Sequence, residues 1–164
     1  MASGDTLAIF TPLHNEPPSA NFATLDTRNG HVVLDFDTTT QETAIFKDIV
    51  PRHYAGGGIT VYVHAALSSA ITGTLGWDVT FERVSDSQQD IDADGWATAQ
   101  TITAATVPGT SGFVDILNVA ITAGAAGTDS IAVGEGFRLR IRRDVANDTA
   151  AGDAELWAVE VRET

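Results

Sequence analysis

Apolar residues recur at every second position over several stretches of the chain, a period that is typical of β-strands with one buried face. Residues 73–84 give the clearest example. One set of alternate positions there is apolar: Leu75, Trp77, Val79 and Phe81. The positions between them carry the polar residues Thr74, Asp78, Thr80 and Glu82. A half-buried strand is therefore predicted over 73–84.

Four more stretches have the same alternation. Residues 59–67, 137–143 and 155–163 each predict a strand with one apolar face. Their predicted inward residues are Ile59, Val61, Val63 and Leu67, then Phe137, Leu139 and Ile141, and finally Trp157, Val159 and Val161. Residues 113–121 predict a strand with an interrupted apolar face, because Asp115 stands among Phe113, Leu117, Val119 and Ile121.

Weaker alternation adds strand candidates at 6–10, 22–27, 31–36, 43–50 and 98–106, which brings the expected number to between eight and ten. No window of helical length has a 3.6-residue period, so helix is expected to be minor. The sequence predicts an all-β fold, an antiparallel β-sandwich of jelly-roll-like form. Its predicted core combines the large apolar residues of the last strands with those of 73–84: Trp77, Phe81, Phe137, Ile141 and Trp157.

The chain of 164 residues suits one domain. Residues 11–21 hold three of the five prolines and do not alternate. They predict an N-terminal extended arm over 1–21, which crosses the surface or reaches a neighbour, followed by a single sandwich domain over 22–164. An ordinary ordered loop explains 11–21 equally well.

Charge narrows the choice of partners. The chain has 9 basic and 22 acidic side chains, a formal net charge of −13. Such a surface repels phosphate backbones and anionic lipids, so neither nucleic acid nor membrane is expected as a partner. The first residues, MASGDTLAIF, predict no signal peptide. The absence of cysteine excludes disulfides and thiolate nucleophiles.

The heptapeptide DIDADGW at 90–96 has two interpretations. Asp90, Asp92 and Asp94 alternate as they do in calcium loops, and a glycine follows them. An EF-hand loop that begins at Asp90 would need a bidentate acid at its twelfth position, which is Thr101. A calcium loop of another kind and a solvated acidic turn both remain open, and we expect folding to need no metal.

Other candidate chemistry is sparse. The histidines His14, His31, His53 and His64 lack metal-ligand spacing, no serine lies in a GxSxG motif, and the glycines at 56–58 lack the Lys-Ser/Thr pair of a phosphate loop. The sequence thus predicts no catalytic, cofactor or metal residue and no enzyme. We interpret the outward row Arg138, Arg140 and Arg142 as cross-strand ion pairs with the next strand, where Glu160 lies outward.

The last thirty residues support a resemblance. GEGFRLRIRRDVANDTAAGDAELWAVEVRE at 134–163, with PRHYAGGGITVYVH at 51–64 and GWDVTFERV at 76–84, resembles small bacteriophage-encoded virion structural proteins over roughly residues 30–163. The resemblance implies a capsid decoration or head-fibre-like protein, located on the virion and bound to the major capsid protein lattice. It carries over no catalytic residue. Since edge strands must be covered, we expect a homo-oligomer, with a trimer favoured.

The alternative function is a carbohydrate-binding module or a receptor-binding β-sandwich of a virion fibre. Such a protein would use exposed aromatic side chains as a platform for sugars. The candidates off the predicted core face are Tyr54, Tyr62 and Trp96.

Overall fold

A computed structural model describes residues 4–164, and it confirms the all-β prediction. Ten strands form two antiparallel sheets, joined by turns and one 3₁₀ helix at Pro12–His14. The strands are β1 (Thr6–Phe10), β2 (Thr24–Arg28), β3 (His31–Phe36), β4 (Thr43–Ile49), β5 (Ile59–Leu67), β6 (Thr74–Val84), β7 (Gln100–Thr106), β8 (Asp115–Ile121), β9 (Gly136–Arg143) and β10 (Ala154–Glu163). Within the described residues, no helix is long and apolar enough to cross a membrane.

The last strand organises the larger sheet. Its order is β2-β3-β10-β5-β8, and β1 also pairs with β10. Because β5 pairs with β10 along residues 154–163, β3 and β1 share the opposite edge: β3 pairs with 154–156 and β1 with 159–162. The smaller sheet has the order β4-β9-β6-β7. The two sheets pack face to face as a sandwich.

The core lies between the sheets and contains the predicted alternate residues. Phe36 of the larger sheet packs edge-on against Trp77 of the smaller one, with ring centroids 5.0 Å apart. Phe10 of the larger sheet stacks face to face on Phe46 of the smaller one, with ring centroids 5.1 Å apart. Four of the five predicted core residues are buried, namely Trp77, Phe81, Phe137 and Ile141.

The fifth prediction, Trp157, is wrong. Its side chain is 45% exposed, although Leu156 and Val159 on either side are buried. The pairing of β10 with β5 shifts register between Leu156 and Ala158. This β-bulge inserts an extra residue into β10. The side chains still alternate between the two faces before and after the bulge, but the positions that point inward shift by one residue. Phe113 was also predicted to lie inward, but it precedes β8 and is 62% exposed.

Residues 6–10, a predicted strand within the segment assigned to the arm, form β1 and pair with β10, which confirms the strand. Phe10 in β1 is 3% exposed and belongs to the core. The following segment, 11–21, runs over the surface and is tied to β4. The backbone N–H of Glu16 donates to the carbonyl of Ile45 at 2.7 Å, and the N–H of Ile45 donates to Asn15 Oδ1 at 2.9 Å.

One arginine lies inside the sandwich. Arg143 follows the inward phase of β9 and is fully buried. Its Nε donates to Asp148 Oδ2 at 2.6 Å, and its remaining nitrogens donate to the carbonyls of Phe36, Ala150 and Gly152. A buried guanidinium requires such partners. They join the end of β9 to β3 and to the turn that precedes β10.

Candidate functional site

A groove of about 610 Å³ lies on the outer face of the six-stranded sheet. Its walls come from the start of β3, the middle of β10 and the turn between β7 and β8. We call it the Trp157 groove, after the tryptophan that lines it. Its lining also includes Arg28, His31, Phe113, Val114 and Glu155.

The apolar part of this groove is unusually exposed. Trp157 is 45%, Phe113 62% and Val114 49% exposed. The bulge in β10 turns the indole of Trp157 outward, where it meets the ring of His64 at a centroid distance of 6.4 Å. Aromatic and aliphatic surface around a few polar groups is the usual composition of a small-molecule site.

The polar part of the groove is an ion pair between Arg28 of β2 and Glu155 of β10. Arg28 Nη1 also donates to the carbonyl of Leu67 at 2.9 Å, and the N–H of Gly112 donates to the same carbonyl at 3.1 Å. A Cβ at Gly112 would lie 2.8 Å from Arg28 Nη2, and Gly112 has a φ of +81°. Only glycine therefore lets this turn pack against the guanidinium.

Acidic groups extend from Glu155 across the neighbouring strands. Asp35 of β3 pairs directly with Glu155 of β10 in the sheet register. Burial, followed by the charges of Glu155, Asp26 and Asp153, raises the pKa of Asp35 to about 6. Within the described residues, Asp35 Oδ1 is buried without a hydrogen-bond partner. Both observations indicate that negative charge is concentrated beside the groove.

A second groove, of about 650 Å³, lies on the outer face of the four-stranded sheet. We call it the Arg138 groove. Ile49 and Ile91 line it and are 59% and 77% exposed. Two ion pairs lie in it, since Arg138 pairs with Glu82, and Lys47 Nζ lies 2.7 Å from Glu16 Oε1; Asp48 and Asp94 line it as well.

The 85–99 loop covers much of this second face. The N–H of Ala97 donates to the carbonyl of Phe81 at 2.9 Å, which holds the loop against β6. Trp96 lies under two guanidinium groups, with Cζ of Arg138 and Arg140 at 4.8 and 4.6 Å from its ring centroid. Two guanidinium groups therefore cover the ring of Trp96, which the sequence indicated as a candidate for stacking on a sugar.

The predicted aromatic platform does not exist as a unit. Tyr54 is 4% exposed, and its hydroxyl donates to the carbonyl of Gly57 at 2.5 Å, so its prediction as a surface aromatic is wrong. Tyr62 is half-buried on β5 in the six-stranded sheet, whereas Trp96 lies against β9 in the other sheet. The structure places Trp157 and Phe113 on a common groove instead.

The arginine row forms cross-strand ion pairs, but with a different strand from the one predicted. Arg138 pairs with Glu82, and Arg142 Nη2 lies 3.6 Å from Asp78 Oδ2, both partners being on β6. Glu160 lies on β10 in the other sheet and contacts Arg162 instead. The order of the strands in space differs from their order in the chain, which pattern alone does not reveal.

The DIDADGW segment is a turn in which two carboxylates accept hydrogen bonds from backbone N–H groups of the same segment. Asp90 Oδ1 accepts from the N–H of Asp92 at 3.0 Å, and Asp94 Oδ1 accepts from the N–H of Gly95 at 2.7 Å. In the part of the chain that the structure describes, no three histidine or acidic side chains are grouped to hold a metal ion. That folding needs no metal stays a prediction.

The histidines lie apart. His14 Nδ1 accepts from the N–H of Thr11 at 3.0 Å beside Phe10, and His53 is exposed in a turn. His31 lines the Trp157 groove, and His64 packs near Trp157.

Comparison with known proteins gives a likeness of fold. No protein-family model and no curated protein matches the chain. A family 35 carbohydrate-binding module from an environmental isolate matches with a TM-score of 0.54 and 10% identity, over 94% of this chain and 92% of that one. The module CBM6cm-2 from Cellvibrio mixtus lichenase 5A, in complex with cellotriose, matches with a TM-score of 0.52 and 12% identity over 97% and 98%.

A third structure agrees with these two. CBM35 from Cellvibrio japonicus Abf62 matches with a TM-score of 0.52 and 9% identity, over 94% of this chain and 91% of that one. At such identities the likeness shows the architecture alone. This chain has the β-sandwich fold that these carbohydrate-binding modules have.

Proposed function

We propose that this protein binds glycans and that the Trp157 groove is the binding site. One observation carries the proposal: an indole that is 45% exposed stands beside the Arg28–Glu155 pair in a groove of about 610 Å³. The likeness in fold to carbohydrate-binding modules supports it.

The chemistry of the groove suits a sugar. A pyranose ring has an apolar face of C–H groups, which packs on an aromatic ring, and a rim of hydroxyls that donate and accept hydrogen bonds. Arg28 supplies donors and Glu155 supplies acceptors. Because Arg28 and Glu155 form an ion pair, their side chains are oriented before a ligand binds, which lowers the entropic cost of binding.

The test is titration calorimetry with soluble plant and bacterial polysaccharides, supported by affinity electrophoresis. We expect at least one glycan to bind the unmodified protein and the Trp96→Ala variant equally. The Trp157→Ala variant should bind it at least about tenfold more weakly, as expected for a central aromatic contact. Full binding by Trp157→Ala, or no binding by the unmodified protein, would refute the proposal.

The virion placement and the non-enzymatic role are proposals that rest on the resemblance. A homotrimer or a capsid lattice would cover the apolar residues beside edge strand β2, where Leu13, Phe22 and Leu25 are 70%, 45% and 53% exposed. Light scattering coupled to size exclusion tests the trimer, and sedimentation with particles that lack the protein tests the lattice. A mass of 17.2 kDa would reject the oligomer, and unbound protein would reject the capsid role.

A further inference from the structure

The charged residues that line the Trp157 groove are Arg28 and Glu155, and further acids lie beside them. Arg28 is the one arginine or lysine among the residues that line it in the described chain. Its guanidinium is already paired with Glu155 and donates to the carbonyl of Leu67. Little of its positive charge is therefore left for an anionic ligand, because the pair as a whole is neutral.

Carboxylates remain after this pairing. Asp35 lies directly across from Glu155 in the register of β3 and β10, and Asp26 and Asp153 are close enough to oppose ionisation of Asp35. Asp35 has a raised pKa of about 6, caused first by burial and then by these neighbours. The same field that opposes a charge on Asp35 would oppose a carboxylate or sulfate on a ligand in the groove.

We infer, on the basis of the proposed function, that the Trp157 groove selects uncharged glycans and rejects glycans that carry carboxylate or sulfate groups. The geometry that supports this is the neutralised Arg28–Glu155 pair beside Asp35, whose Oδ1 is buried without a hydrogen-bond partner in the described chain. Sugar hydroxyls suit such a site, because they donate hydrogen bonds to carboxylate oxygens. An acidic sugar would bring a like charge next to Glu155 and Asp35.

Matched polysaccharides separate charge from shape. The probes are glucuronoxylan, polygalacturonate and alginate, each in its native form and with its carboxyl groups reduced to alcohols. Calorimetric titrations are made at pH 8, above the raised pKa of Asp35, which is about 6. We expect a reduced form to bind at least about fivefold more tightly than its native form at low salt, and the ratio to approach one at high salt, because ions screen the repulsion.

The variant Asp35→Asn tests the source of the selection. Asp35 does not line the groove, so the substitution removes one charge and leaves the ligand contacts in place. Binding of the native glycan should strengthen about twofold or more, while binding of the reduced glycan should not change. The control Asp48→Asn removes one exposed carboxylate that lines the Arg138 groove on the opposite face, and it should change neither affinity.

The outcomes distinguish the two proposals. If both forms bind equally, or the native form binds better, the inference is overturned and the proposed function stands. The reduced form could bind more tightly than the native form with the same affinity ratio in Asp35→Asn and at high salt. The selection is then steric, and the inference is again overturned. If neither form of any probe binds, the proposed function and the inference fail together.

Discussion

The two outer faces of the sandwich each present a tryptophan and a row of charges, but they use them differently. On the four-stranded sheet, Trp96 lies under Arg138 and Arg140, and the acids of β6 pair with the arginines of β9. On the six-stranded sheet, Trp157 is open to solvent, and the acids Asp35, Asp26 and Asp153 lie near the Arg28–Glu155 pair beside it. The tryptophan of the first face is covered by cations, whereas the tryptophan of the second face has open aromatic surface.

The difference teaches that exposure of a side chain matters more than its type. The 85–99 loop, which carries Trp96, covers the outer side of β6, where Thr80 and Glu82 are 0% and 3% exposed. Trp157, at the bulge of β10, is 45% exposed in the described chain.

The substitution Glu82→Ala should cause the largest loss, about 2 kcal/mol or more of unfolding free energy. It leaves the guanidinium of Arg138 without its carboxylate at a site where Glu82 is almost fully buried, and breaking a buried pair is costly. Thermal and urea unfolding measure this loss. The control on the opposite face is Glu160→Ala, which breaks an exposed contact to Arg162 and should cost less than about 1 kcal/mol. Equal losses would contradict the contrast between the faces.

Removal of the open indole should affect binding and leave stability nearly unchanged. For Trp157→Ala we expect an affinity loss of about tenfold or more, which corresponds to about 1.4 kcal/mol, and a melting temperature close to that of the unmodified protein. Calorimetry and differential scanning fluorimetry on the same samples provide both quantities. A large drop in melting temperature with retained binding would reverse the roles that we give to the two tryptophans.

The covered indole should show the opposite behaviour. Trp96→Ala removes the ring from between Arg138 and Arg140, and we expect a stability loss of about 1 kcal/mol with no change in glycan affinity. Urea titration followed by circular dichroism measures the stability. The variant Trp96→Phe keeps a weaker aromatic partner and should recover part of the loss.

The smallest effect concerns Asp35 and pH. Its pKa in the folded state is raised to about 6, above the value of about 3.9 for an unperturbed aspartate, so folding is penalised while the group is ionised. As the pH falls through 6 towards 4, the folded state takes up the proton first, and this penalty disappears. Asp35→Asn should therefore stabilise the protein at pH 7.5 by less than about 1 kcal/mol, because water screens a partly buried group.

The gain from Asp35→Asn should shrink to nothing by about pH 4. Fluorimetric melting over that range decides it, with Asp48→Asn as the control that should show no trend. A stability gain from Asp35→Asn that grows as the pH falls would contradict the predicted direction of the pH dependence.

The period-two pattern predicted the strands well, because half-burial acts on each residue locally. Residues 73–84 and 137–143 correspond to β6 and β9, and Trp77, Phe81 and Ile141 fill the core as expected. The same rule applied to 155–163 placed Trp157 inward. It failed because a bulge inserts one residue without any mark in the local composition.

The candidate site was harder to predict, because it depends on which strands become neighbours. Arg28 and Glu155 are 127 positions apart in the chain, and nothing in either segment indicates that they pair. The buried Arg143 carried a readable signal, since it continues the inward phase of Phe137, Leu139 and Ile141, but its burial depends on Asp148 and on carbonyls from three other positions. The close packing of Gly112 against Arg28 could not be predicted from the sequence either.

The position of β10 constrains the order in which the molecule can assemble on the ribosome. It is the last of the ten strands to be synthesised, yet three strands, β1, β3 and β5, pair with it. Thr6 can pair with Arg162 only after β10 has been synthesised. The edges of β1, β3 and β5 that face β10 stay unpaired until then, which favours slow and cooperative closure of the larger sheet. The same step completes the Trp157 groove, since Glu155 and Trp157 belong to β10.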